Sequence, residues 1–262
     1  MFSKKIIYFF ALLLLATLPA CKSGGLNFFS INDDIQLGKQ VSQQIESDPA
    51  QFPILQERGN EEVYRYIRKI TNNILNSGNV KNKDNFAWQV KIIDDSKTLN
   101  AFATPGGYIY VYTGLIKFLD SEDQLAGVMG HEIAHADQRH STRQMTKIYG
   151  VQALLSILSG KSDPGLIEQI ATGLVSLKFS RNHETESDKY SVIYLCGTGY
   201  NAAGAAGFFK KMEGKSGTPQ FMSTHPNPGN RVKNIESQAA SRSCSVSAGS
   251  RAEYEKIKSL LR

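Results

Sequence analysis

Two histidines and a glutamate lie close together in the segment His131-Glu132-Ile133-Ala134-His135. If this segment is helical, the two imidazoles stand one turn apart on the same face, and both can reach one ion. Imidazole nitrogens suit zinc, which favours tetrahedral coordination and keeps one position open in enzymes. Glu132 is offset around the helix, where its carboxylate can take a proton from water without ligating the metal. The segment therefore predicts hydrolytic zinc chemistry, with Glu132 as the general base.

A site with two histidines needs a third protein ligand. The residue types and their spacing leave this choice open, because several downstream side chains could ligate zinc: Glu168, His183, Glu184, Glu186, Asp188 and His225.

Three segments of the chain resemble one family of zinc metallopeptidases, which includes the CAAX prenyl proteases, the HtpX-like heat-shock proteases and the mitochondrial Oma-type proteases. The first is Asn-Ala-Phe-Ala-Thr-Pro-Gly-Gly-Tyr at 100–108, which continues into Thr-Gly-Leu at 113–115. The second is the histidine segment itself. The third, 179–188, is similar to the family's Ser-Arg-x-x-Glu-x-x-x-Asp stretch, and a weaker similarity lies at 224–231. The resemblance covers about residues 30–240.

This resemblance implies that Glu184 is the third ligand of a single zinc ion. It also implies that Asp188, one helical turn further on, orients a histidine ligand, for which we predict His131. An exposed helix carboxylate is the alternative for Asp188, since buried aspartates are rare. Ser187 stands where the family usually has alanine, and we assign no role to His140 beyond the histidine helix.

The pattern His225-Pro-Asn-Pro-Gly-Asn-Arg231 has two interpretations. In the family these positions line the site, where His225 or Arg231 can stabilise the oxyanion of a tetrahedral intermediate. In some members the histidine instead occupies the open zinc position and blocks it. The alternative is that His225 is an ordinary turn residue between prolines.

The function implied is that of a zinc-dependent endopeptidase for protein or peptide substrates, with misfolded cell-envelope proteins as the expected ones. A chaperone-like factor in outer-membrane assembly, with little proteolysis, is the alternative. The complete histidine segment disfavours it, because a structural zinc needs no general base. An esterase or amidase for small molecules is a third possibility, which the predicted peptide-binding strand below disfavours.

The elements that must position these residues follow from hydrophobic patterning. The histidine segment falls in a helix predicted over 121–138, with Ser121 and Gln124 as a capping box. The other predictions are helices from Ile31 to Ile45 and over Glu61–Ser77, strands over Phe86–Ile93 and Gly107–Thr113, two short helices within 148–177, and helices over Glu184–Leu195 and from Asn201 to Met212. They indicate an α+β, mostly helical, zincin-like domain, with a small β-sheet whose edge strand flanks the active-site helix.

Substrate binding is predicted along that edge. A protease of this kind adds its substrate as a β-strand, and we assign the edge to the strand Gly107–Thr113. The residues predicted to contact substrate are Asn100, Gly106, Gly107 and Tyr108. Alternation of tyrosines on one face of an ordinary strand explains Tyr108, Tyr110 and Tyr112 equally well.

The N-terminus has the features of a secretory signal. Lys4 and Lys5 precede an apolar stretch over 6–18, which is shorter than the roughly 20 residues of a membrane span. Leu-Pro-Ala-Cys at 18–21 resembles the lipobox of bacterial lipoproteins. The resulting predictions are a signal peptide over 1–20, lipidation of Cys21, a tether over 21–30, a single domain over 31–262, and an outer-membrane location facing the periplasm. Plain secretion with a free cysteine is the alternative.

Composition adds two constraints. The net charge of +6 falls to +4 without the two signal lysines, and no basic run accompanies it, so we expect no nucleic-acid partner. Cys196 and Cys244 could pair in an oxidising compartment, but their distance in the fold cannot be deduced from the sequence.

Overall fold

The computed structural model describes residues 27–213, 219–244 and 251–261 of the 262-residue chain. The predicted signal peptide, Cys21 and most of the predicted tether lie outside the described residues. Within the described ranges, no helix has both the length and the apolar character needed to cross a membrane.

Helices dominate the described residues. They are α1 (Ile31–Ser47), α2 (Glu61–Leu75), α3 (Thr113–Phe118), α4 (Glu122–Asp137), α5 (His140–Tyr149), α6 (Val151–Leu158), α7 (Pro164–Leu174), α8 (Arg181–Leu195), α9 (Gly204–Glu213), α10 (Gln220–Thr224), α11 (Arg231–Ser241) and α12 (Arg251–Leu260). The strands are β1 (Gln89–Ile93), β2 (Ala101–Thr104) and β3 (Tyr108–Tyr112), with a 3₁₀ turn over Pro105–Gly107. The predicted fold class, mostly helical with a small sheet, is confirmed.

The strand order of the sheet is β1-β3-β2. β3 pairs in parallel with β1 and antiparallel with β2, so it is the central strand. The prediction that Gly107–Thr113 offers a free edge to substrate is therefore wrong. The edge strand that packs against α4 is β2, over Ala101–Thr104. Its four residues are too few to show a strand periodicity in the sequence.

Both faces of β3 are buried. Ile109 and Val111 belong to a first hydrophobic cluster, which α2, α4, α8 and α9 also build. Tyr108, Tyr110 and Tyr112 point to a second cluster, to which α1, α6 and α7 contribute. The tyrosine alternation is thus a packing feature of the sheet.

Helix α4 is buried along almost its whole length. Ser121 caps it by accepting a hydrogen bond from the backbone N–H of Gln124, whereas the Gln124 side chain accepts from Asp120 and not from Ser121, so only half of the predicted capping box forms. Two glycines allow α9 to touch α4 backbone to backbone. A Cβ added to Gly127 would lie 2.1 Å from Ala205 N, and one added to Gly204 would lie 2.0 Å from Asp123 O.

The segment after α4 turns back along the sheet. Arg139 adopts a left-handed conformation (φ 61°), and α5, a helix that the hydrophobic pattern did not predict, begins directly after it. The Arg139 side chain donates to Asp34 and to the carbonyl of Phe29, which fixes the start of α1. The two helices predicted within 148–177 are present as α6 and α7, and they pack on α1.

Cys196 and Cys244, whose pairing the sequence left open, form a disulfide with a Cα–Cα distance of 5.0 Å. Cys196 ends α8, and Cys244 follows α11. The bond therefore joins the C-terminal ends of two helices whose first turns lie at the site described below.

Replacing both cysteines by serine is expected to lower the free energy of unfolding by about 4 kcal/mol, because the bond closes a loop of 48 residues in the unfolded chain. Urea unfolding of the oxidised protein and of the double variant measures the difference. Dithiothreitol should destabilise the parent protein by a similar amount and leave the double variant unaffected. Equal unfolding midpoints for the two oxidised proteins would contradict this expectation.

Candidate metal centre

Four side chains converge at the middle of the molecule. His131 and His135 extend from α4, Glu184 lies in the first turn of α8, and His225 follows α10; one donor atom from each lies within 4.8 Å of the others. Ser180 caps α8 through the backbone N–H of His183, which sets Glu184 at the positive end of the helix. All four are at most 1% exposed.

The spacing of the donor atoms fits zinc. The two Nε2 atoms of His131 and His135 are 3.0 Å apart, and each lies 3.4 Å from an oxygen of Glu184. A tetrahedral zinc with ligand bonds of about 2.0–2.1 Å separates its ligand atoms by about 3.3 Å. Glu184 Oε1 and His225 Nε2 are buried without a hydrogen-bond partner. Because unpaired buried polar atoms are costly, a cation at this point would satisfy the set.

Glu132 stands beside this cluster and outside it. Neither carboxylate oxygen has a hydrogen-bond partner, and Oε1 lies 3.5 Å from Nε2 of His225. Burial raises the pKa of Glu132 to about 8. The side chain is thus able to exchange a proton near neutral pH.

Asp188 contacts the outer nitrogen of His131, with Oδ1 2.9 Å from Nδ1. Burial alone would lower the pKa of His131, but hydrogen bonds with Asp188 and Glu184 outweigh it and raise that pKa to about 9. The contact fixes the ring so that Nε2 faces the cluster. His135 has no such carboxylate, and burial holds its pKa well below the usual range.

Arg231 begins α11 and is buried behind these carboxylates. Its Nε and Nη2 donate to the two oxygens of Asp188 at 2.7 Å each, and Nη2 also donates to Glu184 Oε2 at 2.9 Å. The guanidinium lies on the ring of Phe209 at 3.8 Å. This geometry disfavours the predicted role in oxyanion stabilisation, because Arg231 is already engaged as the counter-charge of two buried carboxylates.

His225 is held with Nε2 pointing to the cluster. Its ring stacks on Phe221 at 4.1 Å, and Nδ1 lies 2.9 Å from Thr224 Oγ1. Burial lowers its pKa to about 3, so the ring is neutral at pH 7. A neutral imidazole in this orientation is suited to ligate a metal and poorly suited to act as a cationic oxyanion partner.

The site is closed in this structure. Phe179 covers His135 with a ring-centroid distance of 4.0 Å, and its backbone N–H bonds to Thr224 O, which joins it to α10. Helices α6 and α7 lie against α1.

All four residues predicted to contact substrate are buried within the chain. Asn100 immediately precedes β2 and is buried, with neither amide atom hydrogen-bonded. Gly106 and Gly107 have φ angles of 74° and 84°, and added Cβ atoms there would meet the backbone of α1 and the ring of Trp88. The close approach at these glycines is therefore with the chain itself. Tyr108 packs in the second hydrophobic cluster.

His140, to which the sequence pattern assigned no role, lies against the histidine pair of α4. Its Nδ1 lies 3.1 Å from Nδ1 of His135, and its Nε2 lies 3.1 Å from Glu186 Oε2. His183, which by residue type was a candidate ligand and which we expected to be solvated instead, is half-buried and stacks on His140 at 4.4 Å. No helical period connects positions 135 and 140, because their contact depends on the left-handed residue Arg139 between them.

The residues of this site lie within the part of the chain that is similar to known proteins. The model of Peptidase family M48 matches residues 61–239, about two thirds of the chain. Over 179 residues the chain is 30% identical to mitochondrial metalloendopeptidase OMA1 of Schizosaccharomyces pombe, a match that spans 65% of this chain and 51% of that protein.

Two bacterial relatives come from Escherichia coli (strain K12). The beta-barrel assembly-enhancing protease is 26% identical over 240 residues, which span 85% of this chain and 47% of the relative. The metalloprotease YcaL is 30% identical over 153 residues, which span 55% of this chain and 59% of the relative. The chain thus spans about half the length of the relatives it matches.

Proposed function

This chain belongs to peptidase family M48, and on that premise we propose that it is a zinc-dependent endopeptidase. The observation that carries the proposal is the buried donor cluster of His131, His135 and Glu184, with the unpartnered carboxylate of Glu132 beside it. A purely structural zinc site has no use for such a carboxylate.

Each residue then has a distinct task. His131, His135 and Glu184 would hold one zinc per chain. The metal, when bound, supplies a Lewis acid that acidifies water and polarises a peptide carbonyl. Glu132 would accept a proton from the attacking water and deliver it to the leaving amine nitrogen, and both of its oxygens are free of hydrogen-bond partners that would compete for these transfers. Asp188 and Arg231 keep His131 and Glu184 in place.

We further propose that an extended peptide binds along β2. The hydrogen bond from Tyr112 N to Asn100 O sets the register with β3, so the backbone groups of Ala101 and Ala103 point away from the sheet. Ser141 Oγ already donates to the carbonyl of Ala103, which leaves Ala101 to pair with substrate. The unpartnered amide of Asn100 lies next to this edge and supports the same assignment.

We place the enzyme in the cell envelope of a bacterium, held by a lipid on Cys21 at the outer membrane. The name of the beta-barrel assembly-enhancing protease supports an envelope role, and the disulfide supports an oxidising compartment. Misfolded envelope proteins are the proposed substrates, and residues 31–262 form the proposed catalytic domain.

Metal removal tests the enzymatic proposal. The purified protein is expected to contain one zinc per chain and to cleave casein internally. 1,10-Phenanthroline should abolish cleavage while the far-ultraviolet circular dichroism keeps its helical signal, and added zinc should restore activity. A phenylmethylsulfonyl fluoride control should have no effect. Absence of stoichiometric zinc, or cleavage that the chelator leaves intact, would refute the assignment.

We also propose that the closed arrangement is a resting state in which His225 supplies the fourth donor. Two observations support this proposal. Nε2 of His225 lies at the cluster without a hydrogen-bond partner, and the ring of Phe179 packs over His135. Substrate entry then requires His225 to leave the cluster.

His225→Ala separates this capping role from oxyanion stabilisation. If His225 caps the site, the variant should cleave casein several-fold faster than the parent protein, because the fourth coordination position of the metal becomes open to water and substrate. If His225 instead stabilised the oxyanion, cleavage should fall by a factor of about 10²–10³. Asn227→Ala, in the exposed part of the same loop, is the control and should behave as the parent protein.

A further inference from the structure

We propose that His140 and Glu186 form a hydrogen-bonded relay that positions the zinc ligand His135. The inference rests on the zinc site proposed above and concerns how that site keeps its geometry. Neither residue belongs to the donor cluster, and His140 lies outside α4, on the first turn of α5.

The direction of the relay follows from the ring nitrogens. His135 presents Nε2 to the cluster, so its Nδ1 carries the proton when a metal is bound. That nitrogen lies 3.1 Å from Nδ1 of His140, which must therefore accept. His140 then carries its own proton on Nε2, which donates to Glu186 Oε2 at 3.1 Å. The resulting chain runs from His135 through His140 to the carboxylate.

The two histidines of the zinc helix are thus supported in different ways. His131 donates directly to Asp188, whose charge Arg231 balances. His135 reaches its carboxylate only through a second imidazole. Within the described part of the chain, His140 is the only hydrogen-bond partner of Nδ1 of His135.

His140 is itself tightly held, as a positioning group must be. It is fully buried, Ser187 Oγ lies 3.1 Å from its Nδ1, and His183 stacks against its ring at 4.4 Å with an interplanar angle of 12°. Glu186 and Ser187 both follow the ligand Glu184 on α8. The same helix therefore supplies the third ligand and the far end of the relay, so a shift of α8 moves both together.

The test is zinc affinity, measured by competition with a chromophoric chelator. Because the loss of a partner of this kind weakens metal binding by about 10- to 100-fold, His140→Phe is expected to do the same. Glu186→Ala is expected to weaken binding by less, about three- to tenfold, because its carboxylate acts through His140. In the His140→Phe background, Glu186→Ala should have no further effect. If Glu186→Ala still weakened zinc binding in the His140→Phe background, Glu186 would act on the metal site without His140, and the relay would be rejected.

Thr142→Val is the matched control. Thr142 is buried on the same helix, and its hydroxyl donates a 2.8 Å hydrogen bond to Asp34, which the substitution removes. Asp34 is not one of the proposed zinc ligands. This variant should unfold at a lower temperature than the parent protein and bind zinc with unchanged affinity. If Thr142→Val weakened zinc binding as much as His140→Phe, the effect would be one of general packing and the relay would be rejected.

The cobalt-substituted protein gives a readout independent of activity. His140→Phe should change the visible d–d absorption bands, because the ring of His135 is free to rotate about its bond to the metal. Unchanged bands and unchanged zinc affinity in a folded His140→Phe variant would overturn the proposal. If that variant does not fold, Glu186→Ala alone tests the relay, because the Glu186 side chain is 41% exposed and the protein should tolerate its removal. An unchanged zinc affinity of Glu186→Ala would then reject the relay. A parent protein without zinc would refute the proposed function instead.

Discussion

Glu132→Gln is expected to lower the rate of casein hydrolysis by about 10²- to 10⁴-fold while the zinc content stays at one per chain. The amide keeps the volume of the side chain and cannot accept the proton of the attacking water. Zinc should remain, because Glu132 lies outside the donor set and touches it only through the 3.5 Å approach to His225. Stopped assays with fluorescent casein, together with metal analysis of the same samples, measure both quantities.

Glu168→Gln is the matched control for that experiment. Glu168 was a candidate ligand by residue type, yet it lies exposed on α7, away from the cluster. The same chemical change there should leave hydrolysis intact. Full activity of Glu132→Gln would remove Glu132 from the mechanism. If the inactive variant still replaced the parent protein in a deletion strain, the chaperone-like alternative would be favoured over proteolysis.

Arg231→Met is expected to destabilise the zinc-loaded protein by about 3–5 kcal/mol, because it leaves the buried carboxylate of Asp188 without its counter-charge, whereas Glu184 keeps the metal as its partner. Methionine fills much of the space and can still pack on Phe209. Urea unfolding followed by circular dichroism measures the change.

Two comparisons sharpen this prediction. Arg181→Met, at the exposed start of α8, should change the free energy of unfolding by no more than about 0.5 kcal/mol. A stable Arg231→Met protein that binds casein normally and hydrolyses it slowly would instead restore the oxyanion role predicted from the sequence pattern.

The helix of the site could be predicted from sequence because its signals are local. Ser121 marks its start, and His131 and His135 are related by one helical turn, so the imidazole pair follows from spacing alone. Glu184 is different. It lies about fifty residues later on another helix, and only the resemblance to a known family selected it among six candidates.

Other features depend on contacts that sequence patterns do not carry. The strand β2 is too short to be recognised, so the sheet edge was assigned to β3. The glycines of the Pro-Gly-Gly turn were predicted to contact substrate, whereas α1 and the ring of Trp88 occupy the space beside them. His140 reaches His135 only because one non-glycine residue adopts a positive φ. In each case the deciding partner is distant in sequence.

The bond between Cys196 and Cys244 has a practical consequence for anyone preparing this protein. It clamps the far ends of α8 and α11, whose near ends carry Glu184 and Arg231. Material produced in a glutathione-rich cytosol would be purified with these two helices aligned by packing alone, and a metal titration on it would average over looser geometries. Export to the periplasm, or oxidative refolding before loading, should therefore sharpen the stoichiometry that such a titration reports.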